Sequence, residues 1–254
     1  MSGLGGIGIK LPPSLKQPPP HFFSPLHFPT FKLIPTNYSF LMKKTIEIDI
    51  VSDAVCPWCY VGKKRLEKTM EKLSSNFEFK INYKPFQLHP EMPPEGLPGN
   101  ELLERKYGKE RSIQMLQSMT ETGKSEGINF NFPSIPFTPN TKLYHRLLKY
   151  AGLFNMQEKL VNSLFRAYFE DGENLGDREV LLGHAEKAGL DRAEVNKFFE
   201  SDDFIKEIEE EEEMYRNAGI TGVPSLIVNR KYLIVGAQSP EYLESAFAQM
   251  VETE

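Results

Sequence analysis

An alternating run, Thr45-Ile46-Glu47-Ile48-Asp49-Ile50-Val51, leads through four residues into Cys56-Pro57-Trp58-Cys59, which holds the only two cysteines among 254 residues. The alternation of β-branched residues with acids reads as a strand. Ser52-Asp53-Ala54-Val55 then makes the turn, Cys56 the N-cap, and Pro57 the first helical residue, where its missing N–H costs nothing. The Cys56 sulfur would lie in the positive field of the helix N-terminus, which stabilises a thiolate. Cys59 faces the same side one turn further in. A strand that delivers two thiols to the start of a helix leaves few folds open, and it predicts an exposed nucleophile with an inner resolving partner.

Three plainer readings of the pair compete with redox chemistry. A structural disulfide closing so short a loop gains little chain-entropy stabilisation. A zinc site needs four ligands, and there is no second cysteine pair; His21, His27, His89, His145 and His184 show no paired ligand spacing, so no metal is expected. Two inert cysteines adjacent by chance is the third. Redox use of the pair is the strongest of the four.

Charge narrows the partners. A net charge of −5 argues against nucleic acid, which is bound through excess Lys and Arg. No apolar run approaches the ~18 residues that span a membrane. Residues 1–42 stand apart, with Pro12-Pro13 and Gln17-Pro18-Pro19-Pro20, no acid and no arginine. Gly and Pro interrupt every candidate signal-peptide core, and a transit peptide would be rich in arginine. The segment therefore reads as a disordered or non-native extension, and Met42-Lys43-Lys44 would make a natural start of translation. Setting its three lysines aside takes the net charge from −5 to −8.

Cys59, Gly62, Leu66, Met70 and Leu73 keep a helical stripe, predicting one helix from Pro57 to about Ser74. Lys63, Lys64, Arg65, Lys68 and Lys72 on its other side read as a solvated face. Phe77 to Lys84 alternates as a second strand, completing a βαβ unit; Cys-x-x-Cys at its strand-to-helix turn is a thioredoxin-like redox signature. The four prolines of the Gln87–Pro98 stretch predict an irregular connection, and His89 within it reads as a surface residue. From residue 99 to 218 the periodicity is helical, with a break at Gly108 and an irregular proline-rich loop over Phe130–Pro139. The acidic run Glu209 to Glu213 points in several directions on a helix and reads as a solvated face. Pro224 to Asn229 and Lys231 to Val235 are two short apolar runs joined at Asn229-Arg230 that read as a hairpin, and Ser239-Pro240 opens a last helix. The two halves together give a four-stranded sheet.

This α/β order, a βαβ half over 43–98, a large all-helical insertion over 99–218 and a ββα half over 219–254, resembles the DsbA-like branch of the thioredoxin fold. Ser52 through Lys63, Pro85-Phe86-Gln87-Leu88, Thr221-Gly222-Val223-Pro224 and Gly236-Ala237-Gln238 resemble the FrnE-like oxidoreductases, relatives of the 2-hydroxychromene-2-carboxylate isomerases. The resemblance covers about residues 43–250.

The resemblance implies a cis peptide bond at Val223–Pro224, packed against the thiol pair, with the Val223 backbone left to pair with an extended substrate. It implies a thiol–disulfide oxidoreductase in which Cys56 and Cys59 are catalytic and Pro57, Trp58, Val223 and Pro224 bind substrate. Substrates would be protein or small-molecule thiols and disulfides, with no bound cofactor beyond the redox-active pair and with glutathione as an available co-substrate. Pro-Trp between the cysteines has no titratable group, so the expected potential lies inside the range of roughly −270 to −120 mV that thioredoxin and DsbA span. Asp53 either caps the turn or exchanges protons with Cys59. A glutathione-dependent isomerase or transferase on the same fold, which typically has serine where Cys56 stands, is the main alternative; a redox-sensing adaptor is another. With neither a recognisable signal peptide nor structural disulfides, the cytoplasm is the expected compartment. A homodimer would be ordinary for such a fold, although no motif specifies one.

Overall fold

A computed structural model of the chain describes residues 9–10, 43–99 and 101–252. Strand β1 is Ile9–Lys10 and β2 is Lys44–Ser52. Helix α1 runs over Pro57–Leu73 and β3 over Phe77–Pro85. After a two-residue strand β4, Leu97–Pro98, come α2 (Glu101–Tyr107), α3 (Lys109–Ser125) and β5 (Phe137–Thr138). Five helices follow: α4 (Lys142–Gly152), α5 (Gln157–Phe169), α6 (Arg178–Ala188), α7 (Arg192–Phe199) and α8 (Ile205–Asn217). Strands β6 (Ser225–Val228) and β7 (Tyr232–Val235) and helix α9 (Pro240–Glu252) close the chain.

The sheet order is β1-β7-β6-β2-β3. Strand β2 runs parallel to β3, as a strand returning through a helix must, and antiparallel to β6. Its buried residues Ile46, Ile48 and Ile50 alternate with half-buried Glu47 and Asp49. The β6–β7 turn holds Asn229 and Arg230 at φ +49° and +54°. Asn229 tolerates this because its side chain accepts the Glu47 N–H at 2.9 Å while its own N–H donates to the Glu47 carbonyl at 2.8 Å. Gly108, at φ +81°, separates α2 from α3 as expected.

Three expectations need correction. The sheet has five strands, because Ile9 and Lys10 pair antiparallel with Leu233 and Tyr232; the remainder of the proline-rich extension lies outside the described residues. The insertion is not all-helical: β5 lies within it and pairs with β4, Leu97 facing Thr138 and Pro98 facing Phe137. Proline is tolerated there because a two-stranded sheet is all edge. The basic side of α1 is not simply solvated. Lys63 is buried between Glu67 and Glu158, Arg65 pairs with Glu126 at 2.7 Å, and Lys72 pairs with Glu244 at 2.6 Å.

One continuous core joins the sheet, α1 and the insertion. Tyr60, the residue after Cys59, stacks on Phe165 at 5.2 Å and meets Phe130 edge-on at 6.1 Å. Its hydroxyl donates to Glu170 at 2.7 Å. Burying a ring the size of Phe165 stabilises by about 2–3 kcal/mol, and each aromatic pair adds about 0.5–1.5 kcal/mol. The thiol-bearing end of α1 is thus clamped by the insertion. On the outer edge of β3, the Gln157 amide accepts the Tyr83 N–H at 3.1 Å and donates back to the Tyr83 carbonyl at 3.4 Å.

Candidate active site

The turn closes with the Cys56 N–H donating to the Asp53 carbonyl at 3.3 Å, and the helix starts with the Cys59 N–H donating to the Cys56 carbonyl at 3.0 Å. Cys56 is the N-cap and Pro57 follows in the first helical turn. Both cysteines are free thiols. The expectation of an exposed nucleophile is corrected: Cys56 is 5% exposed and Cys59 3%. The cover comes from far along the chain. The Val223–Pro224 peptide bond is cis, and the Cys56 thiol donates to the Val223 carbonyl at 3.5 Å.

Gly62 makes this approach possible. A Cβ there would lie 3.0 Å from Pro224 Cγ and 3.3 Å from Ala237 Cβ, closer than ordinary carbon contacts. Arg65, one turn later, donates to the Ala237 carbonyl at 2.6 Å and holds the 236–238 loop in place. The Gly236 N–H donates to the Pro224 carbonyl at 2.8 Å. Trp58, between the two cysteines, is 46% exposed, and Pro57 beside it is half-buried.

Behind the thiols the surroundings become polar. Burial first, and then the adjacent Cys56 sulfur, pushes the Cys59 thiol well above its usual range; the Ser52 side chain and the Asp53 backbone oppose the rise by hydrogen bonding to it. Asp53 is 1% exposed, and its carboxylate does not cap the turn. Its Oδ2 accepts the Leu88 N–H at 2.8 Å, while its Oδ1 faces His145 Nε2 at 3.4 Å. His145 comes from α4 of the insertion and is 2% exposed. Glu212, from the acidic run expected to be solvated, turns inward and accepts the Gln87 N–H at 2.7 Å. Burial raises its carboxyl above the usual range, against the Gln87 N–H and the His145 and Arg216 charges. Arg216 donates to the Gln87 carbonyl at 2.7 Å and lies over the Phe86 ring at 4.2 Å. The Phe86-Gln87-Leu88 segment is therefore the rear wall of the site.

All six residues expected at the site converge here. Reading the sequence missed His145 and Glu212. His145 lies on an amphipathic helix without a motif, and Glu212 is hidden in a run of five identical residues. His89, by contrast, stays outside this cluster, its ring 3.7 Å from Glu91. Among the described residues no group of acids, histidines and cysteines could hold a metal ion, and no helix is long and apolar enough to cross a membrane.

A sequence profile described as a DSBA-like thioredoxin domain matches residues 47–248. The uncharacterized protein YwbO of Bacillus subtilis (strain 168) is 28% identical over 206 residues, covering 80% of this chain and 96% of its own. The crystal structure of a probable DsbA oxidoreductase from Streptomyces coelicolor superposes with a TM-score of 0.77 at 28% identity, over 82% of this chain and 91% of that one. A 2-hydroxychromene-2-carboxylate isomerase structure shares the fold, with a TM-score of 0.62 at 20% identity over 82% and 97% of the two chains.

Proposed function

The chain belongs to the DSBA-like thioredoxin family, and from that membership we propose that it is a thiol–disulfide oxidoreductase of the FrnE-like branch, working through Cys56 and Cys59. One observation carries the reading: an intact Cys-x-x-Cys at the start of α1 meets the backbone of Val223, 3.5 Å from Cys56 Sγ. The isomerase alternative typically has serine at the position of Cys56, so the intact pair speaks against it.

In the reducing direction the Cys56 thiolate attacks one sulfur of a substrate disulfide and releases the other as a thiolate. Cys59 then loses its proton and attacks Cys56, forming the Cys56–Cys59 bond and expelling the second substrate sulfur. Two electrons pass from the protein dithiol to the substrate. The oxidising direction runs these steps backwards, with a substrate thiolate entering at Cys56. Val223 offers backbone to an extended substrate, Pro57 and Pro224 shape the walls of the entry, and Trp58 supplies an apolar ledge. Because Cys56 is nearly covered, glutathione or an extended peptide laid along Val223 reaches it more readily than the surface of a folded protein. Both cysteines belong to the pair and none is left for a structural bridge, which suits a reducing compartment such as the cytoplasm.

The test is catalysis of insulin reduction and of refolding of a scrambled disulfide protein, with the pair's potential set against glutathione. Cys56→Ser should abolish both activities. Full activity without Cys56 would sink the proposal, and glutathione-dependent isomerisation with no disulfide exchange would replace it with the isomerase reading.

A further inference from the structure

The wall in front of the thiols is held from the side by an arginine expected on a solvated face. Arg65 grips two acceptors at once: its Nε donates to Glu126 Oε1 at 2.7 Å and its Nη1 to the Ala237 carbonyl at 2.6 Å. Ala237 lies in the loop between β7 and α9. The residue before it, Gly236, donates its N–H to the Pro224 carbonyl at 2.8 Å. Val223, next to Pro224, takes the Cys56 thiol on its own carbonyl at 3.5 Å. A chain of short contacts therefore runs from the insertion, through Arg65 and the 236–238 loop, to the backbone beside the reactive sulfur. Pro224 has no N–H with which to anchor itself; the Gly236 bond and the packing on Gly62 hold it instead.

Glu126 is the C-cap of α3. The helix dipole opposes an acid at that end, so helix stability does not account for the residue. Its side chain is 10% exposed and that of Arg65 20%, which separates the pair from the exposed ion pairs that contribute little. Burial works against the Glu126 carboxylate, yet hydrogen bonds from Lys68 and Arg65 hold its carboxyl below the usual range. Lys68 takes Oε2 at 2.6 Å and leaves Oε1 to Arg65. The turn that carries Glu126 is itself fixed. The Ile128 N–H donates to the Gly123 carbonyl at 2.8 Å, and Ile128 is buried. A Cβ at Gly123 would lie 2.3 Å from the Phe130 ring, which meets Tyr60 edge-on. A fixed carboxylate thus aims the guanidinium, and the planar fork of arginine holds both acceptors in one geometry, which the point charge of lysine does not.

We propose that Arg65 and Glu126 are positioning residues for substrate capture: Glu126, supplied by the insertion, aims Arg65 at the Ala237 carbonyl, and the loop held there fixes Pro224 and the Val223 backbone at the spacing an extended substrate needs beside Cys56. The inference rests on the oxidoreductase reading and adds a specificity to it. A peptide disulfide laid along Val223 depends on this grip; a compact disulfide that meets only the sulfur does not. In capture the Cys56 thiolate forms a bond to one substrate sulfur, the substrate S–S bond breaks, and the other sulfur leaves with the electron pair as a thiolate. Arg65 and Glu126 set the geometry of that step and take no part in the electron transfer.

Cys59→Ser isolates capture, because the mixed disulfide at Cys56 is then not resolved. Two probes carry the same coloured leaving group: dithiobis(nitrobenzoate), and an extended peptide whose one cysteine is bonded to thionitrobenzoate. With Arg65→Ala on this background, capture of the peptide should slow about tenfold, the loss of one charge-assisted hydrogen bond. The loss should come as a higher half-saturating concentration at an unchanged maximal rate, and the rate with dithiobis(nitrobenzoate) should hold. Arg65→Lys keeps the charge without the fork and should regain only part of the loss. Glu126→Ala should slow the peptide less, and Arg65→Ala with Glu126→Ala should be no worse than Arg65→Ala alone. Where Arg65→Ala does not fold by circular dichroism, Arg65→Lys and Glu126→Ala carry the test. Both probes slowed equally, an unchanged ratio between them, or full recovery with lysine would overturn the proposal. A Cys59→Ser parent that releases no coloured thiolate from either probe would remove the oxidoreductase reading beneath it.

Discussion

The front and the back of the thiol pair are built by opposite rules. At the front, one short motif and one distant loop meet through small, shape-matched contacts: Gly62 against Pro224, Arg65 on the Ala237 carbonyl, Cys56 on the Val223 carbonyl. At the back, charged and polar side chains from the turn, the segment after β3, α4 and α8 converge, and three of their atoms stay unsatisfied. The front supplies geometry for sulfur exchange. The back surrounds Cys59 with buried polar groups, and burial raises that thiol well above its usual range. The front is where a substrate would meet the pair; the back is closed off by the insertion and by the segment after β3.

That contrast can be broken at several points. The largest effect belongs to Cys56→Ser, which should leave no measurable insulin reduction in a protein that still melts cooperatively. Phe165→Ala removes the ring on which Tyr60 stacks and should cost about 3–5 kcal/mol in denaturant unfolding. If the insertion braces α1, that variant should also slow resolution at Cys59 more than capture at Cys56. Gly62→Ala adds one carbon at the front, and overpacking of this kind costs about 1–3 kcal/mol. It should raise the KM for a peptide disulfide while leaving the pH profile of resolution in place; a shifted profile would mean that front and back are not separable.

The smallest effect is on Glu212. Its carboxyl is raised by burial in the folded state, so folding favours the protonated form. Stability is therefore fully present at pH below the ordinary Glu value of 4.5 and falls as pH rises from there through the folded-state value. Glu212→Gln keeps an acceptor for the Gln87 N–H and should flatten that fall in a series of Tm measurements across pH. An unchanged slope would assign the loss to another group.

Nearly all of the front was legible in the sequence, because it is local or carries a motif. The strand before Cys56, the proline at the helix start and the stripe from Cys59 to Leu73 depend on neighbours a few residues apart. The resemblance implies that Val223–Pro224 packs against the pair from 167 residues away, but not that this contact leaves Cys56 only 5% exposed. The back was nearly opaque. Asp53 was noticed only as a turn residue with a second role in view, and its partner His145 carries no pattern that separates it from any helical histidine. Glu212 and Lys63 were read as solvent-facing because charge usually is; each is buried because an opposing backbone or acid satisfies it. The strand at Ile9–Lys10 was lost for a different reason. Two residues are too few to show a period, and proline-rich surroundings masked them.

The amide of Gln157 has a bearing on how the protein meets other chains. Strand β3 ends the sheet, and the exposed edge of a sheet invites an extended chain to add itself as a further strand. At Tyr83 both backbone groups that such a visitor needs are already occupied by one side chain. A single glutamine thus stands in for a neighbouring strand at that point of the border. An extended chain laid along this border would find the Tyr83 N–H and carbonyl already taken, at the edge farthest in the sheet order from β1.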